Sequence, residues 1–140
     1  MQTPDGKDII AGCEPWAADG GPHGVLGLHG FTGAPQSMRG LAGAFAAAGF
    51  AVDLPLLPGH GTSVDDMIET SWADWSAAAE EAYRALAARV DKVVVVGLSM
   101  GGSLTAWLAS RHPEIVGIVC VNPALEVPDE GIICPFTTPL

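Results

Sequence analysis

The run Val93-Val94-Val95-Val96-Gly97-Leu98-Ser99-Met100-Gly101 decides how this chain folds. Successive β-branched residues favour extended backbone, and a short apolar run closed by glycine reads as a strand buried on both faces. From Met100 to Arg111 the pattern turns helical. The junction has the form Gly-x-Ser-x-Gly, and strand, turn and helix together give that form its meaning. So sharp a turn holds Ser99 in a strained backbone conformation in which side chains two residues before and after would collide, and Gly97 and Gly101 remove the collision. The turn lifts the Ser99 hydroxyl above the strand ends. It also puts the Met100 amide at a helix N-terminus, where partial positive charge suits a developing oxyanion.

Working outward, Val25 to Leu28, Phe50 to Leu54 and Ile115 to Val121 are further apolar runs that read as strands, again with burial on both faces. Helical patterns at Gln36 to Ala48 and Trp72 to Val90 alternate with them, which makes successive βαβ units and a mostly parallel, doubly wound α/β sheet with right-handed crossovers. In the second helix Trp72, Trp75, Ala79, Tyr83, Leu86 and Val90 recur every three or four residues, so this stripe reads as core rather than as a ligand cage, with Ser71 as the cap. Pro4-Asp5-Gly6-Lys7 is a turn signal expected to join two short antiparallel strands ahead of the sheet. Asn122 to Leu140 carries Pro123, Pro128, Pro135 and Pro139 without periodicity and reads as a connection leading elsewhere.

A length of 140 residues suits one domain, residues 1–140, and 49% hydrophobic against 16% charged residues argues for a packed core and against disorder. The net charge of -10 sets the chain against phosphate backbones and anionic lipid surfaces, so no nucleic-acid partner is expected. Cys13, Cys120 and Cys134 form neither a CxxC pair nor an even set, which fits a reducing cytoplasm. The acidic first twenty residues do not read as a signal peptide, and no apolar run is long enough to span a membrane.

Two more motifs sit at the ends of strands. His29-Gly30-Phe31-Thr32-Gly33 follows the Val25 to Leu28 run, and the Phe31 amide is the expected second oxyanion donor beside that of Met100. His29 is weighed as a general base against a loop-fixing hydrogen bond, and the second role is the expected one. Leu57-Pro58-Gly59-His60-Gly61 follows the Phe50 to Leu54 run and reads as a rigid turn in which His60 has a structural hydrogen bond rather than acid–base work. Asp65-Asp66 reads as a solvated or capping pair, and no His/Cys/Asp/Glu spacing has the form of a metal site.

HGFTG, PLLPGHG and GLSMGG, in that order and at these intervals, resemble the bacterial monoacylglycerol lipases and thermostable carboxylesterases of the α/β-hydrolase superfamily, from about Val25 to Asn122. The resemblance implies a serine-dependent carboxylic ester hydrolase that works through an acyl-enzyme on Ser99, with Phe31 and Met100 as oxyanion donors, no metal and no cofactor. The expected substrate is a monoacylglycerol or a short to medium acyl ester. Members of that family continue with a cap, further strands and the acid and histidine of a triad, whose chain order is Ser, then Asp or Glu, then His. After Ser99 the one histidine is His112, at the far end of the helix, ~20 Å from the nucleophile. His112 is therefore not expected to be the base, and the chain is expected to lack the C-terminal part of the fold and the cap.

Two other classes compete. A phosphate-binding loop at Gly97 to Gly102 fails because Ser99 stands where GxGxxG needs its second glycine, and no Walker lysine follows. A non-catalytic binding module on a degenerate hydrolase fold is the alternative, since no acid–histidine pair follows Ser99 in usable order.

Overall fold

The computed structural model describes residues 1–125. The expectations placed on 126–140, including the proline-spaced connection beyond Leu125 and Cys134, lie outside the described residues.

Five strands form one sheet: β1 (Trp16–Ala18), β2 (His23–Leu28), β3 (Ala51–Leu54), β4 (Lys92–Leu98) and β5 (Gly117–Val121), in the order β1-β3-β2-β4-β5. Every pairing is parallel except that of β1, which runs antiparallel to β3 with Trp16 opposite Leu54. The helices are α1 (Arg39–Ala47), α2 (Val64–Ile68), α3 (Trp72–Ala87) and α4 (Met100–Arg111). This is the mostly parallel α/β sheet expected from the alternation of apolar runs and helical patterns.

Alternation along the strands assigns the two faces. Leu26, Leu28, Val93 and Val95 point into a core with Trp75, Ala79, Tyr83 and Leu86 of α3 and Leu104 and Leu108 of α4. Their neighbours Val25, Val52, Leu54 and Val96 point the other way, into a smaller core with Met38 and Ala42 on the α1 side. Leu86, Leu104 and Leu108 are wholly buried, each contributing on the order of 2 kcal/mol. At the start of α3 the Asp74 carboxylate accepts from both the N–H and the hydroxyl of Ser71 at 2.8 Å, which closes the cap anticipated there.

Four expectations need correction. The Thr3–Lys7 turn forms, but Gln2 and Asp8 make only an isolated bridge, and the antiparallel strand is β1, recruited to the sheet edge. The Gln36 to Ala48 helix opens as a 3-10 turn over Pro35–Met38, where the Ser37 hydroxyl binds the Ala34 carbonyl at 2.8 Å and tightens the backbone. The Trp72 helix stops at Ala87, three residues early, although Val90 still packs on the core. Finally, β5 is not buried on both faces: among the described residues it is an edge strand of the sheet, with Ile118, Val119 and Val121 each about half exposed. Among the described residues no helix is long and apolar enough to cross a membrane.

Candidate active site

Ser99 stands between the end of β4 and the first residue of α4, with φ 53° and ψ -117°. A non-glycine residue there is held against its own preference. Several contacts hold it. The Ser99 N–H donates to the Val121 carbonyl of β5 at 2.9 Å, and its own carbonyl accepts from Gly102 at 2.8 Å and Ser103 at 3.2 Å. The flanking glycines are required sterically: a Cβ on Gly97 would run into the Gly101 carbonyl and the Thr105 hydroxyl, and one on Gly101 into the Leu28 carbonyl, with the His29 carbonyl at 2.7 Å. Thr105, which the sequence did not single out, donates to the Gly101 carbonyl at 2.8 Å and braces the turn from inside α4.

The loop after β2 lies against this turn. A Cβ placed on Gly30 would stand 3.2 Å from the Leu98 carbonyl, 3.3 Å from Ser99 Cβ and 4.0 Å from Ser99 Oγ. His29, 1% exposed, fixes the loop. Its Nδ1–H donates to the Gly30 carbonyl at 2.9 Å, and its Nε2 accepts the Leu57 N–H at 3.1 Å, so the ring is the neutral Nδ1 tautomer with both nitrogens engaged. Burial pushes its pKa down to about 4, outweighing the opposing effect of the Gly30 bond. These bonds match the loop-fixing role and leave His29 no nitrogen for general-base work. The Gly30 carbonyl also accepts from Gly33 N–H at 3.0 Å. Because a trans peptide directs its N–H opposite to its C=O, anchoring this carbonyl twice fixes the direction of the Phe31 N–H as well.

The loop after β3 closes the far side. His60, 2% exposed, donates from Nδ1 to the Pro58 carbonyl at 3.0 Å, the structural bond expected of it. The same carbonyl accepts from Trp75 Nε1 at 3.2 Å. Trp75 packs in the core as its periodicity predicts, and its indole N–H also ties α3 to this loop, a bond the sequence reading missed and that the polar handle of a buried tryptophan could have signalled. Burial holds the His60 ring below the usual histidine range.

The remaining candidates lie elsewhere. His112 follows the last residue of α4, ~18 Å along the helix from Ser99. Its Nε2 meets the Glu80 carboxylate at 2.9 Å and its Nδ1 meets Glu114 at 3.0 Å. His23 is exposed at the start of β2, the end of the sheet away from Ser99. None of the four histidines hydrogen-bonds Ser99 among the described residues. Asp65 and Asp66 sit in the first turn of α2, where Lys7, and then the Ser63 hydroxyl, hold the Asp66 carboxyl below the usual carboxylate range.

A model of the family described as serine aminopeptidase, S33, matches residues 23–138. The thermostable monoacylglycerol lipase of Bacillus sp. (strain H-257) is 52% identical over 120 residues, covering 86% of this chain and 48% of that protein. A carboxylesterase of Bacillus subtilis (strain 168) is 29% identical over 121 residues, covering 86% and 49%. Among solved structures, one of the metagenome-derived lipolytic enzymes LipS and LipT superposes with a TM-score of 0.83 at 46% identity, covering 87% of this chain and 51% of that one. The monoacylglycerol lipase of Paleococcus ferrophilus gives a TM-score of 0.68 at 27% identity, covering 86% and 47%. The chain spans about half the length of the curated relatives it matches.

Proposed function

The chain belongs to the serine aminopeptidase S33 family of α/β-hydrolases, and from that premise we propose that Ser99 is the nucleophile of a carboxylic ester hydrolase of the monoacylglycerol lipase or carboxylesterase type. Ser99 Oγ attacks the ester carbonyl, the alcohol leaves as the acyl-enzyme forms, and water then cleaves the Ser99 ester. The negative charge on the carbonyl oxygen is met by the Phe31 and Met100 N–H groups. Met100 N–H is the first amide of α4, where no intrahelical acceptor exists and the helix dipole favours negative charge. Removing one donor of such a pair typically costs ~3 kcal/mol of transition-state stabilisation.

The observation that carries this reading is the backbone of Ser99, strained at φ 53° and braced by three hydrogen bonds, with loop 29–33 so near that a Cβ on Gly30 would stand 3.3 Å from the Ser99 Cβ. Strain held that firmly, at the carboxyl end of a central strand, supports a functional site. The names of the relatives support the substrate class, a monoacylglycerol or another carboxylic ester, and the short to medium acyl length is what the motif resemblance implies. Unpaired thiols at Cys13 and Cys120 support a reducing compartment.

Ester hydrolysis also needs a base to take the Ser99 proton, and among the described residues none of the hydrogen bonds of His29, His60 or His112 is made to Ser99. The test is covalent labelling with a fluorophosphonate. An adduct confined to Ser99 and abolished by Ser99→Ala is expected, whereas a folded chain that takes up no reagent at Ser99 supports the non-catalytic binding module instead.

A further inference from the structure

His60 is the one buried ring nitrogen in this region without a complete set of partners. Nδ1 is satisfied by the Pro58 carbonyl, but Nε2 has no hydrogen-bond partner among the described residues. Leaving a buried acceptor unpaired is unfavourable, and a carbocyclic ring would fill the same space without that cost. Packing alone therefore does not account for an imidazole at this position. The Nδ1–H bond does, since a carbonyl can only accept and phenylalanine has nothing to give it.

What that bond holds is the support of the oxyanion loop. The Leu57–His60 turn, closed by His60 N–H on the Leu57 carbonyl at 3.1 Å, presents the Leu57 N–H to His29 Nε2. That contact selects the His29 tautomer whose Nδ1–H anchors the Gly30 carbonyl and so orients the next amide, that of Phe31. The His60 ring also meets Phe31 directly, edge to face at 5.7 Å and 80°, and Trp75 at 5.9 Å and 70°. Backbone bonds and ring contacts thus converge on one residue.

We propose that His60 is a positioning residue for the oxyanion loop, its Nδ1–H bond to Pro58 and its ring against Phe31 together aiming the Phe31 N–H at the carbonyl oxygen bound beside Ser99. This role rests on the reading of Phe31 and Met100 as oxyanion donors.

The test is spectroscopic. The uniformly 15N-labelled chain is phosphonylated to completion with an alkyl fluorophosphonate; the Ser99 Oγ–P bond forms, fluoride leaves and the hydroxyl proton passes to solvent. The phosphoryl oxygen then lies where the oxyanion would, and the Phe31 and Met100 amide protons are both expected to shift downfield. In His60→Phe an aromatic ring is kept and the Pro58 carbonyl still has Trp75 Nε1, which it shares with Thr70 Oγ1, as donor, so the fold is expected to be retained, and the dispersion of the remaining amide signals checks it. There the Phe31 shift is expected to be lost while that of Met100 persists, and His60→Asn, which restores a donor near the place of Nδ1, is expected to recover much of it. Equal Phe31 shifts in His60→Phe and the parent chain would overturn the role of His60 while leaving the oxyanion reading intact. If neither amide moves in the parent chain, the oxyanion reading fails and the role of His60 falls with it. One measurement needs no variant: an Nε2–H tautomer of His60 in a long-range 1H–15N spectrum also overturns the proposal.

Discussion

Gly101→Ala and Gly43→Ala add the same methyl group to two helices, and the structure assigns them opposite signs. At Gly101 the new Cβ meets main-chain atoms, the Leu28 carbonyl and the His29 carbonyl, the latter at 2.7 Å. No rotamer change relieves a clash with backbone, so α4 must move away from β2 and carry Ser99 away from the Gly30–Phe31 peptide. Overpacking of a rigid core costs roughly 1–3 kcal/mol, and the upper end of that range applies because both sides of the clash are fixed by hydrogen bonds. At about 4 °C per kcal/mol for a chain of this size, the melting temperature should fall by roughly 10 °C. At Gly43, within α1, nothing lies within 4 Å of the added carbon. There alanine gains helix propensity and should stabilise by about 0.5–1 kcal/mol. Urea unfolding followed by far-UV circular dichroism measures both. A Gly101→Ala variant as stable as the parent, or a Gly43→Ala variant equally destabilised, would refute the packing argument at the turn.

The His29 pKa of about 4 lies below its ordinary 6.5, so the unfolded chain binds more protons between these values. His29 therefore contributes stability that is full above pH 6.5 and is lost as pH falls toward 4, on the order of 3 kcal/mol in all, and the drop should shrink in His29→Gln when urea midpoints are compared across that window. The isolated chain should hydrolyse p-nitrophenyl esters poorly, because an oxyanion hole and binding without a base leave only ~10³ to 10⁴ over water. Robust turnover by a folded monomer, lost in Ser99→Ala, contradicts this. Val119→Lys, on β5, which is an edge strand among the described residues, should reduce any concentration-dependent light scattering, since a charge on an edge strand opposes edge-to-edge association. If the folded chain scatters more as its concentration rises and Val119→Lys leaves that rise unchanged, β5 is not the route of association.

Local signals made most of the fold legible. The valine run of β4 and its glycine-flanked serine specify strand, turn and helix within nine residues, because steric demands at Gly97 and Gly101 act between near neighbours in sequence. The indole stripe of α3 was equally plain, since periodicity alone places Trp75, Tyr83 and Leu86 on one face. What escaped notice depends on partners far along the chain. β1 is three residues long and exists because β3 offers it an edge. α2 has five residues, no buried side chain, and Val64 and Ile68 exposed, so it carries no amphipathic pattern to read. At the candidate site, Ser99, Phe31 and Met100 follow from motif and spacing. The tautomer of His29 does not, because it is set by the Leu57 amide 28 residues away. The same holds for the shared Pro58 carbonyl, which His60 and Trp75 reach from different elements.

The central claim is that this chain builds a nucleophilic serine at the β4–α4 turn. It is tested most directly by incubating the folded chain with a fluorophosphonate and mapping the adduct by peptide mass spectrometry. The account predicts slow labelling on the peptide carrying Ser99, none in Ser99→Ala, and none on Ser103, which donates to the Ala124 carbonyl at 2.7 Å. A chain shown to be folded that stays unlabelled at Ser99, or that labels equally after Ser99→Ala, would contradict it.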